Sequence, residues 1–154
     1  ASQPMAALYR SVNTYPHLVA EREHGNPETS TDAELADAAR TILDEVYADQ
    51  VAELAERFGD LSGQGRTATD ASDLARLSTL GAVDTLLVDI DASVPGTIDD
   101  IGAVSLADAE GAGNYGVTDE IARRVLLAGG RVLAGRAEAI PQGGPLAGLL
   151  RFVV

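Results

Sequence analysis

The sequence predicts an α/β chain: a three-layer α/β/α sandwich around a mixed sheet, preceded by a long helix. Three observations carry that expectation. Thr85-Leu86-Leu87-Val88 runs apolar, as strands do when both faces of their sheet are covered. Helical and strand-like patterns alternate from Asp70 onward, and alternating helices supply such cover. Thr31, with Glu34 three residues on, gives a capping-box pattern at the head of a long amphipathic stretch.

The elements follow in order from local signals. Ala6 to Val12 reads as a short β-like run without a hairpin partner nearby, and a chain that opens without an initiator methionine is expected to be cut from a longer protein. Asn13 to Ser30 is polar and holds Pro16, Gly25 and Pro27, the mark of an irregular connection. In the helix that follows, Leu35, Ala39, Ile42, Val46, Leu54 and Phe58 recur at helical spacing while Asp37, Glu45, Asp49, Glu53 and Glu56 fall elsewhere. One stripe is therefore expected to pack, and Gly59 to stop the helix. The loop from Asp60 to Thr69 divides an N-terminal part, 1–60, from a compact α/β part, 61–154. That second part is read as a helix from about Asp70 to Leu80, a strand from Thr85 to Ile90, a short strand at Ala103 to Leu106, a helix from Val117 to Ala128, a strand from Val132 to Arg136 and a last strand from Leu149. Gly81 stands where a left-handed C-terminal residue would turn the chain into the sheet.

Composition narrows the function. The 154 residues contain no cysteine, which excludes disulfides, thiolate metal sites and a thiol nucleophile and agrees with a reducing, cytoplasmic setting. There is no signal-peptide pattern at the N-terminus and no apolar run long enough for a membrane span. The formal net charge is −13, from 24 acidic against 11 basic residues. A surface of that sign repels phosphate, so direct nucleic-acid binding is not expected.

Four places could carry chemistry. Asp89 and Asp91 at a strand end, with Asp99 and Asp100 beyond a turn, could gather carboxylates for Mg²⁺, although acidic residues commonly cap strand ends and turns. Gly111, Gly113 and Gly116, with Asn114 and Tyr115, feed the helix at Val117, but neither phosphate-binding fingerprint can be written there and Asp119 and Glu120 would repel an anion. A surface loop with Thr118 as helix cap is the plainer reading. His17 and His24 lack metal-ligand spacing, and no nucleophile elbow exists. Ser62-Gly63-Gln64-Gly65 lacks the first glycine of a Gly-Gly-Gln tripeptide and reads as a boundary loop. No catalytic residue, metal or cofactor is assigned. Asp89, Asp91, Tyr115 and Arg123 are the residues expected to contribute to binding, and the alternative to a docking role is a Mg²⁺- or small-ligand-binding enzyme using the Asp89/Asp91 strand end.

Two segments carry a resemblance. Thr69-Asp70-Ala71-Ser72-Asp73-Leu74-Ala75-Arg76-Leu77, leading into Leu80-Gly81-Ala82-Val83-Asp84-Thr85-Leu86-Leu87-Val88, resembles the helix-turn-strand that opens the last domain of archaeo-eukaryotic class-I release factors and Pelota. The tail from Val117, with Asp119-Glu120-Ile121-Ala122, Gly130-Arg131-Val132-Leu133 and Gly143-Gly144-Pro145-Leu146-Ala147-Gly148-Leu149-Leu150-Arg151-Phe152, is similar to that family's glycine-rich turn, small-residue helical turn and closing strand. The Asn13-Thr14-Tyr15-Pro16-His17 start and the helix from Asp32 resemble its bacterial relatives. The resemblance implies the fold shared with kink-turn-binding ribosomal proteins and a non-catalytic, protein-docking role in translation termination or ribosome rescue. It implies a protein partner, a GTPase in the eukaryotic factors, and the ribosome. The ribosomal proteins of this fold grip RNA with a basic helix start, whereas the matching start here, Thr69 to Asp73, is acidic.

Overall fold

The computed structural model describes residues 3–16, 18, 29–108, 111 and 116–153. It contains two compact units, Ala1–Ala52 and Glu53–Val154.

In the first unit, α1 spans Gln3–Val12, where a β-like run was expected. Met5, Leu8, Tyr9 and Val12 explain the difference: their spacing of three and four residues is helical rather than alternating, and all four are exposed. The second helix, α2, spans Asp32–Ser62. Its start is the expected capping box: the Thr31 amide donates to Glu34 Oε2 at 2.8 Å and the Glu34 amide donates to Thr31 Oγ1 at 3.3 Å. The Glu34 carboxylate also accepts the Thr31 hydroxyl at 2.9 Å, and the bonds from the Thr31 amide and hydroxyl hold it below the usual carboxylate range.

The second unit begins within α2. The helix runs past Gly59 to Ser62 and closes where the Arg66 amide bonds to Leu61 O and the Gly65 amide to Ser62 O. This is a Schellman turn with Gly65 at φ +67°. An interior glycine costs a helix only about 1 kcal/mol relative to alanine, and the packing of Leu54, Phe58 and Leu61 carries the helix past it. Of the expected stripe, Leu54 and Phe58 are buried, Leu35, Ile42 and Val46 are half-buried, and Ala39 is exposed.

Next come β1 (Thr67–Ala68), α3 (Ala71–Thr79), β2 (Val83–Asp89), β3 (Gly96–Ile98), β4 (Val104–Leu106), α4 (Val117–Leu127), β5 (Arg131–Gly135) and β6 (Leu146–Leu150). Two 3₁₀ turns, Ala137–Ala139 and Pro141–Gly143, join β5 to β6. The main sheet has the order β1-β6-β2-β5, and β3 and β4 form a separate hairpin. Strand β2 pairs parallel with β5 and antiparallel with β6, so the sheet is mixed. The short β1 and β3 carry too few residues to show a period in the sequence. β6 starts three residues before the expected Leu149, and the expected helical turn at its head is strand. Ala147 and Gly148 are small because the strand is buried on both faces: a Cβ at Gly148 would run into Leu74 Cδ2.

Both faces of the sheet are covered. Val83, Leu86, Leu146 and Leu150 pack with Leu74 and Leu77 of α3 and Val117, Ile121 and Val125 of α4. Leu87, Ala147 and Leu149 face the other way, onto Leu54, Phe58 and Ile140. Val83 and Leu86 share a face although three residues apart, because the register of β2 against β6 shifts between Val83 and Thr85, as a bulge requires. Helices α3 and α4 both end in Schellman turns, at Gly81 (φ +68°) and Gly129 (φ +73°), with the Ala82 amide on Leu77 O and the Gly130 amide on Val125 O. Among the described residues, no helix is long and apolar enough to cross a membrane.

Candidate docking surface

Of the four carboxylates expected to converge, Asp89 and Asp99 are engaged with backbone. Asp89 is the last residue of β2 and is buried. Its amide donates to Pro145 O at 2.9 Å, and its Oδ1 accepts the Asp91 amide at 3.1 Å. Asp91 lies in the turn beyond the strand and is exposed, so the two do not stand side by side on a strand face. Asp99 Oδ1 accepts the amides of Ile101 and Ala103 at 3.0 and 2.8 Å. These side-chain bonds are local turn bonds of the kind Asp makes with its own backbone. Among the described residues no group of three or more His, Cys, Asp or Glu is placed to hold a metal ion. Tyr115, Gly113, Asn114, His17 and His24 lie outside the described residues.

Two local expectations change. Thr118 does not cap α4: the N-cap is Gly116, without a side-chain bond, and Thr118 is buried with its hydroxyl unpaired among the described residues. Gln64 lies in the turn ending α2, where its side-chain amide donates to Asp60 O at 3.2 Å.

At the head of α3, Asp70 caps the helix, its Oδ1 accepting the amides of Ser72 and Asp73 at 2.8 and 3.0 Å. The donors that a phosphate would seek at a helix start are thus held by a carboxylate, and Asp73 adds a second negative charge in the first turn. Asp70→Ala should cost about 1 kcal/mol of stability, read from the urea midpoint, as loss of an N-cap does. Asp70→Asn, which keeps the acceptor, should cost little.

The other end of α3 meets α4 and the β3–β4 turn around one guanidinium. Arg124 donates from Nε to Glu120 Oε1 at 2.8 Å, from Nη1 to Thr79 Oγ1 at 2.6 Å, and from Nη2 to Ile98 O and Asp99 O at 3.2 and 3.0 Å. The Thr79 hydroxyl in turn donates to Ala75 O at 2.7 Å. Arg123 forks onto Glu120 from Nε and Nη2 at 2.7 and 2.8 Å. Arg123 is the main cause, and Arg124 a further one, that lowers the Glu120 carboxyl to a pKa of about 2 against the opposing effect of burial. The β3–β4 turn is pressed onto α3 at Gly102, where φ is +89° and an added Cβ would come within 2.7 Å of Arg76 Cα. Together these elements wall an open groove of about 520 Å³, with Leu80 and Leu127 on its sides and Asp100 and Arg123 in its lining. Arg123 is thus the one expected binding residue, among those described, that reaches this groove. The spacing Glu120-x-x-Arg123-Arg124 is a helical ion-pair signal that points to the cluster; its long-range partners Thr79, Ile98 and Asp99 leave no trace in the sequence.

The fold defines an α/β/α domain with a mixed sheet and a polar hub at one end of its paired helices. Residues 1–49 match the model of the bacterial archaeo-eukaryotic release factor family 11, which bears out the resemblance read from the sequence. The fold is that of the C-terminal domain of the peptide chain release factor from Methanosarcina mazei, which aligns over 82% of this chain and 98% of that one, with a TM-score of 0.62 and 17% identity. A chain of a structure described as a model of ribosome-bound archaeal Pelota and ABCE1 aligns over 97% of this chain, with a TM-score of 0.58 and 20% identity, and this chain spans 40% of its length. No curated protein matches the sequence.

Proposed function

We propose that this chain is a non-catalytic, protein-docking domain of a cytoplasmic translation release or ribosome-rescue factor. The observation that carries the reading is the joint match: a bacterial release-factor family over residues 1–49, and a release-factor C-terminal fold over 82% of the chain. Surface chemistry favours protein over RNA as the direct partner. The net charge is −13, and the helix start that would grip phosphate is filled by Asp70. Binding to the ribosome would then come through a protein partner or through other parts of a longer protein.

The test is co-sedimentation of the full-length protein with ribosomes at low salt, together with hydrolysis of peptidyl-tRNA. Association is expected, and adding this chain alone should leave peptidyl-tRNA intact. Failure of the full-length protein to co-sediment, with no effect on peptidyl-tRNA, would remove the translation assignment.

A further inference from the structure

We infer that the β3–β4 hairpin is a strap that opens in one piece from α3 and α4 while the four-stranded sheet stays folded, and that Arg124 is its latch. This property belongs to the fold itself and is independent of the docking role proposed above.

Little apolar burial holds the hairpin down. It is a sheet of its own, two strands of three residues, and a lone two-stranded hairpin is at best marginally stable in water. Its bonds close on themselves: the Asp99 amide donates to Ala103 O and the Gly102 amide to Asp99 O, both at 3.1 Å, and Asp99 Oδ1 accepts the amides of Ile101 and Ala103. Between Gly96 and Leu106 the buried residues are Gly96 and Gly102, which have no side chain to bury. Ile98 and Val104 are half-buried against the core, whereas Leu74, Val117, Ile121 and Val125 of the helices beneath are fully buried. A segment with so few buried apolar groups opens at a lower free energy than the core beside it.

One side chain fastens it. Among the described residues, the hydrogen bonds that leave residues 96–106 are the two that Arg124 Nη2 gives to Ile98 O and Asp99 O at 3.2 and 3.0 Å. When the strap lifts, Arg124 keeps Glu120 and Thr79, so no buried charge is left without a partner, and the two freed carbonyls meet water. Opening thus avoids the large penalty of stranding an ion. The glycines set the closed position: an added Cβ would lie 2.7 Å from Arg76 Cα at Gly102 and 2.9 Å from Val117 Cγ2 at Gly96. Just before the strap, Val94 O accepts the Val117 amide at 2.8 Å and anchors its root to α4. Opening therefore uncovers Val117 and the Arg76 turn of α3, a face that the protein can present or withhold.

The test is amide hydrogen exchange of the 154-residue chain, read by NMR in a series of urea concentrations below the unfolding midpoint. The strap's probes are the amides of Asp99 and Ala107, bonded to Ala103 O and Pro95 O. The sheet's are those of Leu86 and Leu87, which lie in β2 between β5 and β6. The strap amides should be about 100-fold less protected than the sheet amides. Urea should hardly change their exchange and should speed that of the sheet steeply, because the slope follows the surface exposed on opening. Arg124→Ala should lower strap protection about tenfold further, for the loss of two hydrogen bonds. Gly102→Ala, at φ +89°, should strip protection from Asp99 and Ala107 and leave Leu86 and Leu87 protected. Equal protection with equal urea slopes in strap and sheet overturns the inference, as does a Gly102→Ala chain whose sheet amides also lose protection. Arg124→Ala with unchanged strap protection overturns Arg124 as the latch.

Discussion

Leu86→Ala and Leu87→Ala should each lower the unfolding free energy by about 3 kcal/mol, the middle of the range for emptying a buried leucine site. The two neighbours point to opposite faces of β2. Leu86 is fully buried among the side chains of α3 and α4, and Leu87 is 2% exposed against Leu54, Phe58 and Leu149. A sheet wet on one face would tolerate the second change at well under 1 kcal/mol, because surface substitutions rarely exceed half of that. Near-equal urea midpoints therefore test the three-layer arrangement directly. A small effect for Leu87→Ala alone would mean that the end of α2 does not cover the sheet in solution. Phe58→Ala made in the Leu87→Ala background should cost less than in the parent, because the two share one cluster and their effects are not additive.

Arg124→Ala should cost about 2 kcal/mol, since it removes one member of a largely buried ion pair and strands the Thr79, Ile98 and Asp99 acceptors it served. Arg124→Lys should recover little of this. A single ammonium cannot reach Glu120, Thr79 and two carbonyls from one planar fork. Glu120 gives the network a pH signature. Its folded pKa of about 2 lies below the ordinary value of 4.5, so its contribution is present above about pH 4.5 and is lost as pH falls toward 2. Glu120→Gln should remove that part of the acid sensitivity. Arg124→Ala should reduce it only in part, because Arg123, the larger cause of the lowered pKa, still holds the carboxylate. An unfolding free energy whose pH slope between 4.5 and 2 is unchanged in Glu120→Gln would contradict the account.

The fold was legible wherever a local rule and the tertiary structure agree. Thr31 and Glu34 bond to each other within four residues, Asp70 bonds to the amides of Ser72 and Asp73, and Gly81 takes the positive φ that its turn demands. None of these needs a distant partner, so each can be read from neighbouring residues. The α/β alternation was equally plain, because an apolar strand between amphipathic helices has few other ways to bury itself. Expectation and structure part where a local signal was weak or was overruled. Ala6 to Val12 is too short for its helical spacing to stand out. Gly59 reads as a stop, but the packing of Leu54, Phe58 and Leu61 outweighs its small cost. Ala147 and Gly148 look like turn residues, and are small in a strand because Leu74 takes the space above Gly148 while Ala147 packs on the opposite face with Leu54 and Phe58.

The candidate site divides in the same way. The net acidity, the lack of cysteine and the acidic start of α3 are properties of composition and of adjacent residues, so the sequence alone supplies them. Asp89 and Asp91 suggested a cluster because of their spacing, but the end of β2 falls between them and leaves Asp89 buried on the strand and Asp91 exposed in the turn. Arg124 shows the reverse case. By sequence alone it is one arginine beside another on a helix. Its role comes from Thr79, Ile98 and Asp99, which lie 25 to 45 residues away and are brought within 3.2 Å only when α3, α4 and the β3–β4 hairpin pack. The sequence by itself determined the fold class and the net charge, since those depend on periodicity and composition. The tertiary structure alone decided which helix ends meet, because the partners of Arg124 lie on separate elements that only packing brings together.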